Sequence, residues 1–100
     1  MLYRVIGILI LAGFVVDHNN LKNQVRANDL NNSEREFTKN RVKAMMVNIA
    51  DLERQIADAN DGTGEYINIS LEERAVRRAA LMTRLYKKLH EVIEFQSNAL

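Results

Sequence analysis

No proline interrupts this chain of 100 residues. Of its four glycines, Gly7 and Gly13 sit in an apolar N-terminal run, and Gly62 and Gly64 fall within three residues of each other. Proline breaks helices by removing a backbone donor and crowding the preceding turn, so a chain without it is free to form long ones. The apolar spacing uses that freedom. Between Glu34 and Ala59, the residues Val42, Met45, Ile49, Leu52, Ile56 and Ala59 recur at alternating steps of three and four. That is one face of a helix in a coiled-coil-like seam. Phe37, Met46 and Val47 are expected to widen the face. From Leu71 to about Ser97 the pattern returns in Leu71, Ala75, Met82, Leu85, Leu89 and Val92, with Arg78 in the seam. A second stripe of Val76, Ala79, Tyr86 and Ile93 lies beside it.

Stop and start signals divide the chain. Asn60-Asp61-Gly62-Thr63-Gly64 ends the first helix and turns the chain, because two glycines so close together allow backbone that other residues resist. Glu65 to Ile69 alternates like a strand but is short, and is expected to be a loop that tucks Tyr66 and Ile67, or Ile69, against the helix ends. Ser33 with Glu36, and Ser70 with Glu73, match capping boxes. Asp17 can cap a helix starting at His18, with Val16 and Leu21 as a hydrophobic staple. Asparagine-rich residues 28–33 form helix poorly, which places a break near 31–33. The expected organisation is a hydrophobic segment at 1–16, a polar linker helix at 17–33, helix one at 34–60, a loop at 61–69 and helix two at 70–100.

The fold class that follows is all-α: an antiparallel, coiled-coil-like helical hairpin preceded by a short hydrophobic N-terminal helix. A hairpin alone leaves part of each apolar face uncovered. Protein partners or a homo-oligomer are therefore expected to pack on Met45, Ile49, Leu52, Ile56, Met82, Leu85, Leu89 and Val92.

The N-terminal run from Val5 to Val16 holds twelve uncharged residues between Arg4 and Asp17. A helix of that length spans about 18 Å at 1.5 Å per residue, against a bilayer core of about 30 Å. It could serve as a short membrane anchor through Val5, Ile6, Ile8, Leu9, Ile10, Leu11, Phe14, Val15 and Val16 if Arg4 snorkels and the bilayer thins. Two other readings compete: a helix buried in a partner, and a cleaved signal. Against the signal, Leu11 stands where a small residue is wanted, Phe14 stands where a lipoprotein would need cysteine, and Val25-Arg26-Ala27 lies far into polar sequence. The expected localisation is membrane-associated, or cytoplasmic if the segment is buried in protein.

Six basic residues and no acidic ones lie between Arg74 and Lys88. Arg74, Arg77, Arg84 and Lys88 form a stripe that could meet an anionic partner. The plainer expectation is pairing within the hairpin, where the acidic end of helix one (Asp51, Glu53, Asp58, Asp61) meets the basic start of helix two. Nucleic acid is not expected, because no aromatic stacking set accompanies the stripe. The chain has no cysteine, and its two histidines, His18 and His90, are far apart, so no thiolate or two-histidine metal site is expected. Gly62-Thr63-Gly64 lacks the lysine of a phosphate loop. Ser33 and Ser70 are better explained as caps than as nucleophiles. No catalytic residue, cofactor or metal is expected. The functional expectation is a membrane-anchored, non-enzymatic scaffold or assembly subunit working by helix packing. The alternative is a helical-hairpin adaptor or secretion-type chaperone that buries its apolar segment against a client or sister chain.

Overall fold

The computed structural model describes the backbone of residues 2–31 and 36–99, and the side chains of residues 14–31 and 36–98. It is all-α. Helix α1 runs over Leu2–Asn31, α2 over Glu36–Asp61 and α3 over Leu71–Ala99, with one 3-10 turn at Gly64–Tyr66 and no strand among the described residues. The helices make an elongated bundle with extents of 50 × 24 × 15 Å.

Helices α2 and α3 form the expected antiparallel hairpin. Helix α1 lies along α3 in the same direction: Phe14 meets Tyr86, and Val25 meets Gln96. The seam expected to meet a partner therefore closes largely on the chain itself. Ile49, Leu85, Leu89 and Val92 are fully buried, Ile56 and Met82 nearly so, and Met45 and Leu52 partly. The correction has a simple cause. A hairpin alone leaves part of each broad face uncovered, and α1 supplies cover that was expected from a partner. Each fully buried leucine or valine contributes roughly 1.5–3 kcal/mol by leaving water.

Several local expectations are also corrected. Asp17 caps nothing, because α1 runs through it without interruption. Phe37 is 80% exposed and Val47 68% exposed, so neither widens the core. Val76 and Ala79 are exposed, so the second stripe of α3 is covered only at Tyr86 and Ile93, both half-buried. The break expected near 31–33 and the Ser33 cap reach residues 32–35, which lie outside the described residues. Residues 65–69 form the expected loop, which begins in the 3-10 turn at Gly64–Tyr66. Tyr66 is buried, Ile69 half-buried and Ile67 exposed.

The hairpin turn is built from its glycines and one arginine. Gly62 takes φ +72° and Gly64 φ +58°, in the left-handed region that a Cβ disfavours by roughly 1–2 kcal/mol. Gly62 and Thr63 both donate to the Asp58 carbonyl, at 2.8 and 3.1 Å, satisfying one of the open carbonyls at the end of α2. Arg74 reaches back from α3 and donates to the carbonyls of Ala59 and Asn60, both at 3.3 Å. A Cβ on Gly62 would come within 2.6 Å of its guanidinium. At the start of α3, Ser70 Oγ accepts from the Glu73 amide at 3.2 Å. The reciprocal half of the capping box is replaced: Glu73 instead accepts from Arg77 at 2.9 Å.

No helix among the described residues is long and apolar enough to cross a membrane. The expected anchor is thus unsupported as a bilayer-spanning element. Its apolar run is short, and α1 turns polar from Asp17 onward.

Candidate functional site

Two polar clusters fix α1 to the hairpin. In the first, His18 is nearly buried, and its ring stacks on Phe14 with centroids 5.2 Å apart and planes 6° apart. Its Nε2 lies 2.8 Å from Glu53 Oε2 on α2, and Lys22 Nζ donates to the same oxygen at 3.2 Å. The His18 approach is short, but it is not aligned as a hydrogen bond. Burial pushes the His18 pKa below its ordinary value. Glu53 opposes that shift and Lys22 adds to it. Tyr86 closes the cluster from α3, packing edge-on against Phe14 and donating to the Phe14 carbonyl at 3.3 Å. The Tyr86 hydroxyl is pushed up by burial, and then by the negative charge of Asp17.

The second cluster is built on Gln96, which has no exposed surface. Its Nε2 donates to the Val25 carbonyl at 3.0 Å and to Asp29 Oδ1 at 2.9 Å. Its Oε1 accepts from Asn28 Nδ2 at 3.2 Å. A buried amide is tolerated when its donors and acceptor are matched, and here all the partners come from the last turns of α1. Sequence reasoning passed over these residues. Yet Gln96 continues the spacing of Leu89 and Val92, and His18 and Asn28 continue that of Leu21 and Val25. A polar residue at a seam position is a known way to fix register, and that signal was present.

The basic stripe divides into two parts. Its lower part is structural. Arg74 closes the end of α2, and Arg78 donates to Asn60 Oδ1 at 2.9 Å. Arg77 pairs with Glu73 and lies 5.9 Å from the Tyr66 ring centroid. The expected pairing between the acidic end of α2 and the start of α3 does not form among the described residues. Asp51 and Asp58 pair with Arg54 on their own helix, at 2.8 and 3.3 Å, and Glu53 turns to α1. A neighbour one helical turn away needs no loop to bring it close, so the local cation wins. Donation from Arg54, and then from Gln55, holds the Asp51 carboxyl below the usual carboxylate range.

The upper part of the stripe borders an open groove between α2 and α3 of about 460 Å³, lined by Asn48, Asp51, Leu52, Arg84, Lys87, Lys88 and Glu91. A second depression of about 440 Å³ lies between α1 and α3, at Asp17, Asn20, Leu21, Tyr86 and His90. His90 is exposed, and its Nδ1 donates to the Tyr86 carbonyl at 2.8 Å.

Of the apolar N-terminal residues, Val5, Ile6, Ile8, Leu9, Ile10 and Leu11 stand on the α1 backbone with side chains outside the described residues. Phe14 is buried, while Val15 and Val16 are 50% and 60% exposed. No group of three or more acidic, histidine or cysteine side chains that could hold a metal occurs among the described residues. Comparison with protein-family models, with curated proteins and with solved structures gives no match to this chain.

Proposed function

We propose that the protein is a non-enzymatic assembly subunit that acts by helix packing and attaches to its partner through the apolar first half of α1. One observation carries this reading. The run from Val5 to Val16 is apolar on every side, and at its end Phe14 turns inward while Val15 and Val16 remain exposed. A helix that is hydrophobic all round needs cover all round, and one bundle face covers only one side. The partner is best read as protein. At about 18 Å the run is shorter than a bilayer core, and it lacks the polar face that lets a helix lie in the membrane interface. Helices of a larger assembly, or of sister chains, supply the missing cover.

The test compares the full chain with a double variant, Ile8→Lys with Leu11→Lys, expressed in cells. Sedimentation velocity on cell extracts should place the full chain in a particle larger than a monomer and the variant in a monomer. Alkaline carbonate should release both from membranes. Retention of the full chain alone in the carbonate pellet would replace the protein partner with lipid. A full chain that is monomeric and released would defeat both forms of attachment.

A further inference from the structure

We infer that the groove between α2 and α3 at Leu52, Arg84 and Lys87 docks an acidic amphipathic helix of a partner protein. This surface lies on the hairpin and does not depend on what covers the first half of α1.

The charges here divide by what already engages them. Of the six cations between Arg74 and Lys88, Arg74 and Arg78 are held by the end of α2, Arg77 pairs with Glu73, and Lys88 lies 3.5 Å from Glu91. Among the described residues, Arg84 and Lys87 have no ion-pair partner. The groove's acids are in the opposite state. Asp51 accepts from Arg54 and Gln55, both at 2.8 Å, and Glu91 has Lys88. By count the lining is close to neutral; by availability it is positive.

The spacing selects a helical ligand. Arg84 and Lys87 are three residues apart on one helix, and Lys88 is one further, so they stand about one turn, roughly 5 Å, apart along the axis. Carboxylates three or four apart on a partner helix repeat at the same distance. Leu52 is half-buried in the groove lining, so an apolar residue on the same face of the ligand leaves water on docking. A simple polyanion makes no use of Leu52, and the groove has no aromatic side chain on which a base could stack.

The test uses fluorescence anisotropy with the full chain and a labelled helical peptide carrying leucine and glutamate at three-four spacing. Binding should weaken as salt is raised. It should fall about tenfold or more when the peptide glutamates become glutamines, and by a similar factor in Arg84→Glu with Lys87→Glu. Arg84→Gln with Lys87→Gln should give a smaller loss in the same direction, and circular dichroism should show both variants folded. Arg77→Ala, below the groove, should leave binding unchanged. Absence of binding, binding indifferent to the Arg84 and Lys87 changes, or equal binding of a single-stranded oligonucleotide would each overturn the inference.

Discussion

The two halves of α3 carry the same apolar spacing and come to opposite ends. From Leu81 to Gln96 the helix buries Leu81, Met82, Leu85, Leu89, Val92 and Gln96 between two neighbours. From Leu71 to Ala80, the residues Leu71, Ala75, Val76, Ala79 and Ala80 are all exposed. Periodicity shows that a helix has a face to bury; the number of neighbours decides whether it does. The upper half has α2 on one side and the segment of α1 from Phe14 onward on the other. The lower half carries polar contacts instead: Arg74 and Arg78 on the end of α2, and Ser70 on the Glu73 amide.

Truncation should cost far more in the upper half of α3 than in the lower. Leu85→Ala should lower unfolding free energy by roughly 2–5 kcal/mol, from lost burial and the cavity left behind. Val76→Ala should change it by less than about 0.5 kcal/mol. Chemical denaturation of the two variants checks the difference; equal costs would mean that Val76 is covered in solution.

A smaller effect is expected where polar groups latch α1 to α3. Gln96→Ala removes the partner of the Val25 carbonyl, Asp29 and Asn28, and should cost roughly 1–3 kcal/mol. Hydrogen exchange should rise first in the last turns of α1, not in α2.

The smallest expected effect is a dependence on pH. The folded-state pKa of His18 lies below its ordinary value of 6.5, so the unfolded chain takes up the proton first as pH falls. The stability that neutral His18 contributes is therefore present above about pH 6.5 and is lost as pH falls through that value to the folded pKa. Unfolding midpoints at pH 7.5 and 5.5 should differ in that direction, and His18→Gln should shrink the difference. A midpoint that rises toward pH 5.5 would mean that Glu53 outweighs burial.

What the sequence made legible follows from how local each signal is. The core of α2 and the upper half of α3 were readable, because Val42 to Ala59 and Met82 to Val92 repeat at helical spacing. Gly62 and Gly64 announced the turn. Helix α1 as the third wall was only faintly written. Its seam is written partly in His18 and Asn28, and polar residues become seam members only once Glu53 and Gln96 stand opposite. The fate of the basic stripe was hidden for a related reason: six similar cations looked like one feature, and only the positions of the Ala59 and Asn60 carbonyls and of Glu73 and Glu91 divide them. Phe37 misled because its place one step off the seam points it to solvent.

The parallel placement of α1 on α3 has a consequence for synthesis. Phe14 is made 72 residues before Tyr86, and Val25 71 residues before Gln96. At roughly 5–20 residues per second, the nascent α1 waits about 4–14 s before its resting place exists. Throughout that interval the α3 side chains that meet Phe14 and Val25 do not yet exist, and whatever recognises apolar runs on emerging polypeptides meets this one before the bundle can form.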